Sequence, residues 1–255
     1  MRINNTSALV TGGASGLGEA TARALRAAGA TVTLFDRDEA RAKATADDIG
    51  GATSYVAGDV GDPEAVTRAV ELAAAAGEFR ITVSCAGIGW AQRTIGRNGE
   101  PHDFDAFKTV VNVNLVGTFN VMRIAAGAMA KTDPLEDGER GVIVNTASVA
   151  AFEGQIGQIS YSASKGGVVG MTVPAARDLA PVGIRVNTIA PGLMDTPLLG
   201  LLPEENRQAL GAGVLFPKRL GTPAEFARLV IAIAENGYLN GETIRLDGGL
   251  RMPPK

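Results

Sequence analysis

A single cysteine, a single histidine and a single tryptophan are scattered through 255 residues, and aromatic side chains make up only 5% of the chain. One cysteine, Cys85, excludes an internal disulfide and any zinc site built on several thiolates. The lone His102 sits in the polar run Asn98-Gly99-Glu100-Pro101-His102-Asp103, poor ground for a metal site or a histidine-based triad, and no metal is expected. An excess of one charge is also missing. Lys and Arg number 24 against 27 Asp and Glu, and the net charge of −3 argues against nucleic acid or an anionic membrane as the main partner. No run of about 18 apolar residues occurs, so no membrane span is expected. No basic-then-apolar leader precedes the first predicted strand, which begins by Ser7, and a soluble cytoplasmic protein is the expectation.

Glycine is what the chain has in plenty. Its 33 glycines are spread rather than clustered, as many tight strand-to-helix turns require. With 45% hydrophobic and 20% charged residues, the composition is that of a globular protein. A chain of this length buries roughly 70–75% of its extended surface and needs no staples.

Short β-rich runs alternate with Ala-rich helical ones. Strands are predicted at 7–11, 31–35, 53–57, 81–84, 142–145, 184–188 and 243–246. Helices are predicted at 16–28, 38–49, 63–76, 104–131, 161–180 and 223–235, and Pro63 after Asp62 marks one helix start. Pro174 predicts a kink in the second half of the helix at 161–180. Strands apolar on both faces and separated by helices specify an α/β fold, a doubly wound and mainly parallel sheet. One domain over residues 1–255 is expected. Two segments break the rhythm: Trp90–Asp103, polar, and 194–220, apolar, where Leu198, Leu199, Leu201, Leu202, Leu210, Val214, Leu215 and Phe216 suit a substrate lid.

Thr11-Gly12-Gly13-Ala14-Ser15-Gly16-Leu17-Gly18 follows the first strand and opens the first helix. Glycines 12, 16 and 18 permit a tight turn, close approach of a pyrophosphate, and close packing of helix on strand. Asp36 ends the second strand eighteen residues beyond Gly18, where a carboxylate accepts hydrogen bonds from ribose hydroxyls and repels a 2′-phosphate. NAD is therefore favoured over NADP; neutral Ser15 agrees, while Arg37 partly offsets the repulsion.

Tyr161 and Lys165 are four positions apart, so on a helix they share one face. An ammonium beside a phenol favours phenolate, lowering a pKa that is normally ~10 and making the tyrosine a general acid or base. The same spacing also arises by accident on a solvated helix face.

Taken together, Thr11–Gly18, Asp59-Val60, Cys85-Ala86-Gly87, Asn114, Ser148, Tyr161-x-x-x-Lys165 and Pro191-Gly192 resemble the short-chain dehydrogenase/reductase family, in family order across most of the chain. The run Asn145–Gln155, the stretches Ala176–Pro181 and Pro191–Leu193, and the tail Leu239-Asn240-Gly241-Glu242 resemble one branch, the type 2 3-hydroxyacyl-CoA dehydrogenases. Two positions depart: Ser84 stands where the pattern has asparagine, and Met194 where the branch often has an aromatic residue.

The resemblance implies a seven-stranded Rossmann sheet and catalysis by Ser148, Tyr161, Lys165 and Asn114. Asn114 would hold a water next to the lysine. It implies contacts to NAD from Gly12, Ser15, Gly16, Leu17, Gly18, Asp36, Asp59, Val60, Cys85, Ala86, Gly87, Tyr161, Lys165, Pro191, Gly192, Met194 and Thr196. Substrate contacts would come from Ser148, Gln155 and Tyr161. The substrate implied is an acyl-CoA ester, and the assembly implied is a homotetramer. Apart from the resemblance, the charge and placement of Arg93 and Arg97 in the first irregular segment suit them to reach coenzyme A phosphates. A dehydrogenase of hydroxysteroids or other secondary alcohols would need the same core residues. A cofactor-binding scaffold without chemistry would not need Tyr161 or Lys165.

Overall fold

The computed structural model describes residues 1–197, 199–200 and 203–254. The elements run β1 (Thr6–Thr11), α1 (Gly16–Ala27), β2 (Thr31–Asp36), α2 (Glu39–Ile49), β3 (Thr53–Ala57), α3 (Pro63–Ala75) and β4 (Glu78–Ser84). Then come α4 (Phe104–Val111), α5 (Gly117–Met129), β5 (Gly141–Thr146), α6 (Ile159–Leu179), β6 (Ile184–Pro191), α7 (Glu204–Ala212), α8 (Pro223–Glu235) and β7 (Thr243–Leu246). The seven strands form one sheet in the order β3-β2-β1-β4-β5-β6-β7, and every pairing is parallel.

Strand β1 explains why both faces are covered. Ala8 and Val10 point into a core with Leu25, Val32, Phe226 and Val230, while Leu9 between them points into a second core with Phe35, Phe79, Met129 and Ile143. That alternation is the two-residue period of a strand, and a strand buried at every position, as β1 is, needs helices on both sides. The chain winds from β1 outward through β2 to β3, then returns to place β4 on the other side of β1. Such a reversal parts the connections above the carboxyl ends of β1 and β4 and opens a crevice there.

Helical backbone runs from Phe104 to Met129, close to the expected 104–131, but with a π-helical turn, Asn112–Val116, between α4 and α5 that the sequence did not announce. The wider turn carries Asn114, which is fully buried and bonds the backbone of a neighbouring loop, a contact that local periodicity does not report. Helix α6 carries Pro174 in its second half. Two residues upstream, Thr172 ties the helix to β6 by a 2.6 Å hydroxyl contact with Thr188. No described helix is long and apolar enough to cross a membrane.

Candidate active site

A cleft of about 890 Å³ lies over the carboxyl ends of the strands. Its floor at one end is the turn between β1 and α1. Gly12 adopts φ +62°, and a Cβ there would sit 2.8 Å from the Ala86 nitrogen. A Cβ on Gly18 would fall 2.1 Å from the Gly12 carbonyl oxygen, so only glycine lets helix and strand approach this closely. Helices α2, α3 and α4 are capped by the carboxylates of Asp38, Asp62 and Asp103, whereas Ser15 at the start of α1 makes no side-chain cap. The N–H groups of the first turn of α1 are thus left to an anion in the cleft.

Asp36 lines the same end. One carboxylate oxygen accepts from the Ala14 N–H at 3.1 Å and the other from the Asp38 N–H at 3.1 Å, so the anion is braced between the glycine turn and the start of α2. Asp59 and Val60 follow β3 and complete this wall, with the Val60 carbonyl held by Asn120 Nδ2 at 2.9 Å. A cradle that any side chain would fill, next to a braced carboxylate, fits a dinucleotide.

Ser148, Tyr161 and Lys165 line the middle of the cleft. Ser148 follows β5, and its Oγ accepts from the Ala150 N–H at 3.1 Å, which fixes its rotamer. Lys165 is 4% exposed, its Nζ lies 5.9 Å from the Tyr161 ring centroid, and it donates to the Thr146 carbonyl at 2.7 Å. Burial lowers the ammonium to about 8. Burial also raises the Tyr161 phenol, opposed by a hydrogen bond with Ser148. In the protein by itself desolvation is the larger influence on Tyr161 and holds the phenol above its ordinary range.

Of the residues expected in the site, all but Asn114 line this cleft, including Gln155, Pro191, Gly192, Met194 and Thr196. Asn114 lies beneath it. Its Oδ1 accepts from the Ile88 N–H at 2.8 Å, and its Nδ2 donates to the Ile88 carbonyl at 2.9 Å and to Ser164 Oγ at 3.1 Å. A Cβ on Gly87 would meet both Asn114 Oδ1, at 3.1 Å, and Lys165 Nζ, at 3.5 Å, so asparagine and lysine flank the same loop. Cys85 meets the cleft beside a tightly held backbone: its N–H donates to the Thr11 carbonyl at 3.1 Å, and burial pushes its thiol up to about 11.

The apolar lid is only partly in place as expected. Leu199 and Leu210 line the cleft and Val214 is buried, but Leu215 and Phe216 are 68% and 82% exposed. Leu198, Leu201 and Leu202 lie outside the described residues. Arg93 and Arg97 are exposed and do not line the cleft. His102 bonds the neighbouring Asp103 carbonyl at 2.6 Å and packs edge-on to Phe107. Among the described residues no group of three or more His, Cys, Asp or Glu stands where it would hold a metal. Sequence reasoning missed Gln158, Trp90 and Met252, which also line the cleft. Gln158 sits three residues before Tyr161, and Trp90 opens a segment already marked as irregular. Met252 comes from far along the chain and had no local signal.

Comparison with known proteins agrees with this geometry. The model of the short chain dehydrogenase family matches residues 6–207. The 3-hydroxyacyl-CoA dehydrogenase type-2 of Bos taurus is 54% identical over 254 residues, 99% of this chain and 97% of that protein. The crystal structure of 3-hydroxyacyl-CoA dehydrogenase type-2 from Mycobacterium avium superposes with a TM-score of 0.96 at 47% identity, covering 98% of each chain. A 3-ketoacyl-(acyl-carrier-protein) reductase from Brucella melitensis, solved in complex with NADH, gives a TM-score of 0.85 at 32% identity over 97% of this chain and 98% of that one. A cleft of this construction, on this sheet and with these relatives, means that the chain belongs to the short-chain dehydrogenase family of oxidoreductases.

Proposed function

We propose that the protein is an NAD-dependent 3-hydroxyacyl-CoA dehydrogenase, interconverting 3-hydroxyacyl-CoA and 3-ketoacyl-CoA with Tyr161 as general acid and base. The observation that carries this reading is the convergence of Ser148, Tyr161 and Lys165 in a cleft whose other end is a glycine turn beside Asp36. The names of the relatives from Bos taurus and Mycobacterium avium support the substrate class, and the NADH in the Brucella melitensis complex supports the cofactor.

Gly12, Gly16 and Gly18, with Ser15 and Leu17, would hold the pyrophosphate; Asp36 would take the adenosine ribose, and Asp59 and Val60 the adenine. Lys165, Thr196 and Met194 would hold the nicotinamide half, against Cys85, Ala86, Gly87, Pro191 and Gly192. Bound there, NAD supplies the hydride acceptor. Ser148 hydrogen-bonds the substrate oxygen and Tyr161 exchanges its proton, so that both fix one oxygen before reaction. Asn114 and Ser164 hold the loop through Gly87 against the lysine. Asp36 selects against a 2′-phosphate, since that group would bring like charge to a braced carboxylate.

Assembly as a homotetramer fits the same reading. The faces of α5 and α6 leave Phe119 and Val173 48% and 43% exposed, and Val116 before α5 is 47% exposed. Sedimentation equilibrium near 105 kDa, about four times the 26.2 kDa chain, is the expected result.

The deciding experiment is NADH consumption with 3-ketoacyl-CoA esters, a steroid and a short ketone, on the parent and on Tyr161→Phe. The parent should prefer the esters, and the variant should lose two to four orders of magnitude in turnover while still binding NADH by fluorescence. A variant that keeps most of its activity refutes the role of Tyr161, and preference for the steroid refutes the substrate.

A further inference from the structure

The residues after β7 do not trail into solvent. They turn back across the segment between Ser148 and α6 and are tied there at four points. The Ile156 N–H donates to the Pro254 carbonyl at 3.0 Å, Gln155 Nε2 to the Pro253 carbonyl at 3.2 Å, and the Met252 N–H to Glu153 Oε2 at 3.4 Å. Arg251 pairs with Glu153 at 3.5 Å.

Glu153 is itself anchored. Arg245 grips it with both Nη atoms, at 2.8 and 2.9 Å, and with its Nε binds Asp247 at 2.7 Å. A planar two-point grip of this kind fixes direction as well as distance. Its guanidinium also lies 5.2 Å from the centre of the Phe152 ring. The Arg245 grip holds the Glu153 carboxyl below the usual range, so the anchor stays ionised at neutral pH.

This clamp sets Met252 on the wall of the cleft that Gln155, Gln158 and Trp90 also line, and the loop of Trp90 is joined to the clamped segment by the Gln92 N–H to Gly157 carbonyl bond at 2.8 Å. Leu199 and Leu210 supply the apolar part of the lid that lines the same cleft. A thioether is apolar, unbranched and fits gaps of irregular shape. It has no proton to give and is only a weak acceptor, so it suits the apolar chain of a substrate rather than its reacting oxygen.

We propose that residues 251–254 form a strap that sets the acyl-chain length the enzyme accepts, with Met252 as the residue in contact and Glu153 as its anchor. The inference rests on the dehydrogenase reading above. The test measures kcat/KM on 3-ketoacyl-CoA esters from four to sixteen carbons for the parent, Met252→Ala, Met252→Trp and Glu153→Gln. Met252→Ala should move the preferred length up and Met252→Trp should move it down. Each methylene gained or excluded changes the ratio of long- to short-chain kcat/KM about fourfold. Glu153→Gln removes the ion pairs to Arg245 and Arg251 but leaves the bonds to Pro253 and Pro254, so it loosens the strap and should weaken the dependence on length without abolishing it. NADH affinity serves as the readout that a general loss of structure would alter, and it should hold. An unchanged length profile in both Met252 variants overturns the proposal. A uniform change at every length also overturns it, because it would put Met252 on the coenzyme arm common to all substrates. A parent inert on the whole series sinks the dehydrogenase reading and the strap with it.

Discussion

Replacing Lys165 by methionine should cost the enzyme its turnover and yet change its stability in a way that depends on pH. In the folded protein burial lowers the ammonium from 10.5 to about 8. Below pH 8 both folded and unfolded chains carry the proton, and the folded state bears the full penalty of a buried charge. Between 8 and 10.5 the unfolded chain binds more protons than the folded one, so stability rises with pH until the penalty is gone. The gap corresponds to about 3 kcal/mol, an appropriate conversion for a side chain that is 4% exposed. Methionine removes that penalty but leaves the Thr146 carbonyl without its 2.7 Å donor, at a cost of about 1–3 kcal/mol. At pH 7 the two effects nearly cancel. At pH 10 the parent has recovered most of its penalty while the variant has not changed, so the parent should gain about 2 kcal/mol on the variant. Urea unfolding of both proteins at pH 7 and pH 10, at one protein concentration, measures this difference. A gap in stability that is the same at both pH values would refute the argument that Lys165 is strained by burial.

The other predictions concern the cofactor end and the buried asparagine. Asp36→Asn should raise the ratio of NADPH to NADH use, by kcat/KM, by about tenfold or more, since one like charge is removed from beside a 2′-phosphate; an unchanged ratio would show that Asp36 does not discriminate. Gly18→Ala drives a methyl into the Gly12 carbonyl, so stability should fall by roughly 1–3 kcal/mol and NADH affinity by more than tenfold, read by melting and fluorescence titration. Asn114→Ala strips the Ile88 N–H and carbonyl of their partners and should cost about 1–3 kcal/mol, with faster hydrogen exchange at Ile88; exchange as slow as in the parent would assign that protection to other contacts.

What the sequence made legible was local. The glycine turn, Asp36 at the end of β2, and the four-residue step from Tyr161 to Lys165 are short patterns whose geometry is set by one turn, one strand end or one helix. The alternation of apolar runs likewise placed all seven strands, the five buried ones by their continuous β-rich runs and the half-buried edge strands β3 and β7 by their place in the rhythm of strand and helix. What escaped needs contacts distant in the chain. The π-turn at Asn114 exists to reach Ile88, twenty-six residues earlier. Met252 reaches the cleft through Glu153, ninety-nine residues before it. The direction of the Tyr161 shift escaped for another reason: spacing gives proximity, whereas desolvation depends on everything packed around the ring.

The π-turn between α4 and α5 also constrains how this segment can vary. It holds one residue more than a regular turn would, and absorbs that residue within the turn, so α5 keeps the phase it would have in an uninterrupted helix. Deleting a single position from Asn112–Val116 would restore an ordinary turn and leave Thr118 and Asn120 facing inward and Phe119 outward. What the deletion would cost is the wide turn itself, and with it the placing of the Asn114 amide against Ile88. The register of the two helices thus tolerates the loss of a residue that the buried amide does not.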